Sequence, residues 1–288
     1  MKRVAFVTQI AQPNLNDSDA LVVPLLANKG VVVEAKPWDD TSVEWRAYDA
    51  VVLRSAWNYH LHTLQFQAWL ARLEAIGIRV WNTPAVIGRN TNKLYLFELE
   101  TLGVQIVPSV LCHILSGEII RRVRMWDMIV IKPAVGATSY RVKKFSSSAF
   151  LFWIPYVWLL LRSGPVIIQK FIKSVEHGEY SLIFFDKKFS HAVKKVPKIG
   201  DFRSQEVFGG TDIPVKLSNE SIKQAKSILD HISEELLYAR VDGLVIDGKF
   251  YLMELELTEP YLFLKSDSRA ALRLADAIHS CLNRYTKL

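Results

Sequence analysis

Short apolar runs alternate with longer amphipathic stretches through the first third of the chain. Residues 2–8, 31–34, 48–53 and 78–81 are compact apolar segments that read as strands. Between them, residues 19–29 and 64–76 read as helices, ending at Gly30 and Gly77. Glycine stops a helix because it enters the left-handed region without steric penalty. Alternation of this kind predicts a parallel sheet covered by helices. Ligands of such sheets sit beyond the carboxyl ends of the strands. Here those ends carry Gln9, the segment Arg54-Ser-Ala-Trp57-Asn-Tyr59-His60, and Asn82. No Gly-x-Gly-x-x-Gly follows the first strand, which argues against a dinucleotide site.

Residues 91–102 read as a helix stopped by Gly103, and from residue 128 the pattern changes to strands joined by turns. Strands are expected at 128–132, 140–143, 166–171, 180–185 and 189–195, then a helix at 219–237, two further strands, and a closing helix at 268–283. The expected division is an N-terminal lobe at 1–88, a linker helix and small lobe at 89–172, and a large lobe at 173–288. Residues 149–161 are an apolar and aromatic run broken only by Pro155. The run is too short for a bilayer span of about 20 residues. A buried helix is the expectation, with an exposed patch for self-association or membrane contact as the alternative.

Composition narrows the class. Hydrophobic residues make up 50% and charged residues 23%, a globular balance. The net charge of +7 suits a polyanionic ligand, which could be nucleic acid, a membrane surface or nucleotide phosphates. No nucleic-acid-binding motif accompanies it, so nucleic acid is not an expected partner. Cys112 and Cys281 are the only cysteines, too few for a disulfide scaffold or a four-thiolate zinc site. The apolar N-terminus is too short for a signal peptide. The expectation is a cytoplasmic protein without membrane contact.

The densest candidate chemistry lies near the C-terminus, where residues 240–256 read as a hairpin turning at Asp247–Gly248. Glu254 and Glu256 point the same way because strand side chains alternate. A two-residue loop would pair Asp242 with Met253, on the face opposite Glu254. A three-residue loop with Gly248 left-handed shifts the register by one. The hydrophobic pattern favours the second, since an unpaired carboxylate among apolar side chains costs several kcal/mol. Arg240, Asp242, Glu254 and Glu256 then share one face, and Val241, Val245, Tyr251, Met253, Leu255 and Leu257 fill the other. Three carboxylates together call for a cation, and oxygen donors at this density suit Mg²⁺. The plainer reading is a solvated hairpin end neutralised by Arg240.

Weaker signals precede it. Lys132 ends an apolar strand and is followed by a small-residue turn around Gly136, whose backbone N–H groups can meet phosphate. Residues 165–172 form another strand, which reads either as a plain edge strand or as one whose backbone near Lys170 to Ile172 hydrogen-bonds adenine, with Glu179 taking ribose hydroxyls. Arg203 can clamp a carboxylate or phosphate. His191 reads as structural, and no Gly-x-Ser-x-Gly elbow points to a serine hydrolase.

In order, Asn92-Lys93, Lys132-Pro, Gln169 to Ile172, Gly178-Glu179, Lys195-Val-Pro, Phe202-Arg203, Gly209-Gly210, Arg240-Val-Asp242 and Glu254-Leu-Glu256 resemble the ATP-grasp superfamily of carboxylate–amine ligases. The basic-Pro…Phe-Arg…Gly-Gly pattern is similar to prokaryotic glutathione synthetase. Residues 53–60 and Glu254-Leu-Glu-Leu-Thr-Glu-Pro260 resemble the O-ureido-D-serine cyclo-ligase group of cycloserine biosynthesis. The resemblance implies an α/β ATP-grasp fold, with a Rossmann-like parallel-sheet lobe and two α+β lobes enclosing ATP. It implies that Lys93, Lys132 and the Gly136 loop hold phosphates, that Gln169, Lys170, Phe171 and Ile172 hold adenine, and that Glu179 holds ribose. Asp242, Glu254 and Glu256 would bind Mg²⁺, with Mn²⁺ as an alternative. Lys195, Arg203 and Arg240 would steady the substrate carboxylate and an acyl phosphate, while Arg54, Trp57 and Tyr59 would meet the substrate. The partners implied are small-molecule carboxylates and amines, joined between molecules or within one, and residues 149–161 are a candidate homo-oligomer contact. Two rivals stand beside this reading: a nucleotide-binding regulator without turnover, and a membrane- or partner-docking scaffold built on residues 149–161.

Overall fold

The computed structural model describes residues 1–204 and 208–284. Its first sheet comprises β1 (Lys2–Thr8), β2 (Val31–Pro37), β3 (Ala50–Leu53) and β4 (Val80–Trp81), all parallel in the order β2-β1-β3-β4. Every residue of β3 is buried, as continuous apolar strands are when both sheet faces are covered. The crossovers contain α1 (Val22–Ala27), entered through a 3₁₀ turn, and α2 (Thr63–Ala75). Trp38, Trp45, Phe66 and Trp69 pack together against one face.

A helix not expected from the sequence, α3 (Pro84–Asn90), precedes the one expected at 91–102, which is the shorter α4 (Tyr95–Thr101). Proline at the first position and the Thr83 hydroxyl accepting from the Val86 amide start α3. Between the helices, the Lys93 amide donates to the Ala134 carbonyl at 2.9 Å, tying Lys93 to the loop after Lys132.

A second, antiparallel sheet has the order β5-β8-β6-β7, from β5 (Ser109–Cys112), β6 (Met128–Pro133), β7 (Lys143–Ser146) and β8 (Val166–Lys170). It carries α5 (Gly117–Val123) and α6 (Phe150–Leu161). β7 begins later than the expected 140 because Thr138, Ser139 and Arg141 take positive φ angles, which belong to turns. The apolar run is helical but only half-buried. Trp153, Val157 and Leu160 pack on Ile129, Ile131, Val166 and Ile168. Leu151, Phe152 and Trp158 point outward, 74%, 72% and 54% exposed, because a single helix on a sheet can bury only one side. Among the described residues no helix is long and apolar enough to cross a membrane.

The third sheet is antiparallel, in the order β11-β10-β9-β12-β13. Its strands are β9 (Glu179–Phe185), β10 (Lys188–Val196), β11 (Thr211–Val215), β12 (Tyr238–Ile246) and β13 (Lys249–Glu256), with α7 (Asn219–Asp230) and the closing α8 (Ala270–Arg284). α7 stops at Asp230 rather than 237, and Leu236 and Leu237 lead instead into β12. One sheet face packs on α7 and α4. The other shares a core with α8 and the first sheet, where Ile183, Phe185 and Tyr238 join Val4, Phe6, Leu274 and Ile278.

Candidate active site

A cavity of about 750 Å³ takes its lining from all three sheets and their loops. Trp57 and Tyr59 come from the first, Lys132 and Gln169 from the second, and Glu179, Lys195, Asp242 and Glu254 from the third.

The β12–β13 hairpin sets its carboxylates by a different device from the expected three-residue loop. Ile246 pairs with Lys249, and Asp247 and Gly248 have φ of 50° and 76°. This is the two-residue turn with two left-handed residues that suits strand twist. Pairing runs regularly to Gly243↔Leu252 and then shifts, so Asp242 faces Glu254 and Arg240 faces Glu256. Met253 is the extra residue, a β-bulge. Gly243 permits it: a Cβ there would lie 2.5 Å from both the Phe250 ring and the Tyr251 carbonyl. The bulge also moves Tyr251 and Met253 off the expected core face. They pack with Leu244 and Val175 in a separate cluster, while Val241, Leu255 and Leu257 remain in the main core.

Charges on the site face are interleaved. Asp242 accepts from Arg240 Nη2 at 2.9 Å, Lys195 Nζ at 3.0 Å and the Ser181 hydroxyl at 2.6 Å. Lys195 also meets Glu179 at 2.7 Å, and Lys93 meets Glu254 at 3.1 Å. Arg240 contacts Glu256 as well. Burial favours a neutral Asp242, yet Arg240 and Lys195 outweigh it and hold the carboxyl well below the usual range. Glu254 is likewise held low against burial by Lys93 and Lys132. Burial lifts Glu256 to about 7 against the pull of Arg240, with the charges of Glu254 and Asp242 adding to the rise. Burial and the Glu256 charge lift Glu259 to about 8. Burial lowers Lys132. Among the described residues no three His, Cys, Asp or Glu side chains form a ready-made metal cage. The carboxylate oxygens of Asp242, Glu254 and Glu256 rest on Arg240, Lys195 and Lys93 instead.

The remaining predicted residues distribute unevenly. Lys132 reaches Gln169 Oε1 at 3.4 Å, and Gln169 in turn donates to the Ser109 hydroxyl at 2.9 Å. Lys93 Nζ donates to the Gly136 carbonyl. Lys170, Phe171 and Ile172 line the cavity, with the Phe171 ring edge-on to Phe202. Arg203 lines it too, pinned by Asp201 at 2.7 Å and stacked on Phe208 at 3.7 Å. Arg54 does not reach the cavity. At 1% exposure it is bound to Asp19 at 2.9 Å and the Pro260 carbonyl at 3.0 Å, over the Tyr238 ring. A guanidinium that deep must be paired inside the protein. His191 bonds the Leu262 carbonyl at 2.9 Å, a structural role. Ser181, Asp201 and Glu259 were not singled out from sequence. Only Glu259, within the Glu254–Pro260 motif, carried a sequence signal.

Residues 4–82 match the D-cycloserine synthetase DcsG N-terminal domain, and residues 92–268 match the prokaryotic glutathione synthetase ATP-grasp domain. The cycloserine biosynthesis protein DcsG of Streptomyces lavendulae is 30% identical over 270 residues, covering 86% of this chain and 88% of that protein. Glutathione synthetase of Rhodopseudomonas palustris is 29% identical over 226 residues, covering 76% of this chain and 67% of its own. The crystal structure of D-cycloserine synthetase DcsG superposes with a TM-score of 0.85 at 26% identity, covering 98% of this chain and all of that one. D-alanine–D-alanine ligase from Bacillus anthracis, complexed with ATP, shares the fold at a TM-score of 0.71 and 17% identity, covering 100% of this chain and 99% of that one. With an ATP-grasp domain matched over more than half its length, this protein belongs to the ATP-grasp family of carboxylate–amine ligases, enzymes that form C–N bonds with ATP.

Proposed function

We propose that the protein activates the carboxylate of a small molecule as an acyl phosphate and joins it to an amine, within one molecule or between two. The observation that carries this reading is the shared face of Asp242, Glu254 and Glu256, open to the same cavity as Lys93, Lys132 and Lys195. The donor set suits a hard divalent cation. Glu256, raised to about 7 by burial and crowding, is a carboxyl that a nearby cation would return to its charged form. Asp242, Glu254 and Glu256 would hold Mg²⁺, or alternatively Mn²⁺, which when bound would neutralise phosphate charge.

Lys93 and Lys132 would steady the phosphates under the Gly136 loop. Adenine would lie along residues 169–172, and Glu179 would take the ribose. Lys195 and Arg240 are already oriented by Asp242, so they can meet charge developing on the acyl phosphate without reorganising, aided by Arg203. Trp57 and Tyr59 would bound the substrate.

The test is phosphate release from ATP across a panel of amino acids and small acids, with hydroxylamine added to trap an acyl phosphate as a hydroxamate. Acid-dependent phosphate release and hydroxamate formation are expected, and Glu254→Gln should lower both by on the order of 100-fold or more. Failure to bind nucleotide would overturn the reading. ATP binding without turnover for any acid would favour a nucleotide-binding regulator.

A further inference from the structure

Four carboxylates lining the cavity sit in ion pairs: Glu179 with Lys195, Asp242 with Lys195 and Arg240, Glu254 with Lys93, and Glu256 with Arg240. Glu259 is different. It lines the same cavity and is 7% exposed, yet its carboxyl group has neither an ion pair nor a hydrogen bond among the described residues. Its backbone, by contrast, is fixed. The Glu259 carbonyl accepts from Trp57 Nε1 at 3.3 Å, and the Pro260 carbonyl accepts from Arg54 Nη2 at 3.0 Å. Arg240 Nη1 donates to the Tyr261 carbonyl at 3.2 Å. These three bonds hold one short turn between the first sheet's loop and the Arg240 guanidinium.

A buried carboxyl group held in place without a partner is costly unless something cationic arrives. Trp57, Tyr59 and Tyr261 line the cavity with it, and aromatic rings beside a carboxylate favour an ammonium group. Arg240, which lines the same cavity and bonds the Tyr261 carbonyl two residues beyond Glu259, suits the opposite charge. A ligand with a carboxylate for Arg240 and a cation for Glu259 is a zwitterion. Resting on the ligase reading above, we infer that Glu259 receives the ammonium group of an amino-acid substrate whose carboxylate is activated beside Arg240. Burial and the Glu256 charge raise the Glu259 carboxyl to about 8, and a neighbouring ammonium would draw out its charge.

The experiment measures binding rather than turnover. The full-length protein with Mg²⁺ and a non-hydrolysable ATP analogue is melted with α-amino acids of both hands and with the matching des-amino acids. At least one amino acid should raise Tm where its des-amino counterpart does not. Glu259→Gln should weaken that amino acid by about 30-fold or more, leave affinity for the analogue unchanged, and melt no lower than wild type when unliganded. Glu259→Asp should recover part of the preference. The inference is overturned if no amino acid binds better than its des-amino form, or if Glu259→Gln keeps the preference. A Glu259→Gln loss confined to Mg²⁺ or nucleotide affinity would also overturn it. The ligase reading fails separately, on absent nucleotide binding or acid-dependent phosphate release.

Discussion

Asp242 stands directly opposite Glu254 on the β12–β13 ladder, one residue out of step with the pairing that begins at their shared turn. Met253 supplies the extra residue, and Gly243 leaves the room for it. Gly243→Ala should therefore destabilise the fold by about 1–3 kcal/mol through overpacking. It should also lower ATP turnover by disturbing the carboxylate face. Urea denaturation and phosphate release measure the two effects, and an alanine variant normal in both would show that the bulge tolerates a side chain.

Asp242 and Glu254 should respond differently to neutralisation. Asp242→Asn leaves Lys195 and Arg240 buried with weaker compensation, a loss of about 3–5 kcal/mol. Glu254 keeps about a third of its side chain open to the cavity and, among the described residues, meets only Lys93 in an ion pair, so Glu254→Gln should cost much less stability. Both should reduce turnover by on the order of 100-fold or more, since the site loses preorganised charge. Equal melting temperatures for the two variants would contradict this division.

The Glu259 carboxyl group gives a pH dependence of definite sign. Its ordinary value is 4.5, and burial lifts it to about 8 in the folded protein. The folded state therefore holds a proton that the unfolded chain releases. The resulting stabilisation is complete below 4.5 and fades as pH rises through 8. Asp242 works the other way, with stability lost as pH falls below its ordinary 3.8, outside that window. Melting of nucleotide-free protein between about pH 5 and 9 should decline for wild type and decline less for Glu259→Gln. Parallel curves would remove Glu259 as the source.

α6 lies on the face of the second sheet formed by Ile129, Ile131 and Ile168, whereas Val130, Lys132 and Gln169 of the same strands line the cavity. Trp158→Glu on its outward side should leave the KM for ATP unchanged. Sedimentation at rising concentration should show whether wild type self-associates through this side, with the variant remaining monomeric. An altered KM would mean that the helix communicates with the site.

The parallel sheet was readable because strands such as Ala50–Leu53 are buried on both faces and appear as unbroken apolar runs. The shared face of Asp242, Glu254 and Glu256 was readable from hydrophobic alternation, which demands a one-residue shift somewhere. Its location was not, because a turn and a bulge shift register equally and only the packing around Gly243 distinguishes them. Arg54 illustrates another limit. Its motif sits at a strand end where ligands gather, but the partner that buries it, Asp19, lies 35 residues away and enters by tertiary packing. The strand Ser109–Cys112 was not expected from the sequence.

The common core of the first and third sheets has a consequence for the cavity. Val4, Phe6, Ile183, Tyr238, Leu274 and Ile278 belong to one packed cluster, and Lys2 Nζ donates to the Leu282 carbonyl at 2.8 Å. The first and third sheets therefore pack on one continuous core, with Lys2 and Leu282 joined at its edge. The second sheet has a core of its own, joined to the third sheet by the smaller cluster of Val107, Val175 and Leu244. Asp242, Glu254 and Glu256 belong to the third sheet, while Lys132 and the Gly136 loop belong to the second. Lys132 and these carboxylates therefore line one cavity across the boundary between two separately packed cores.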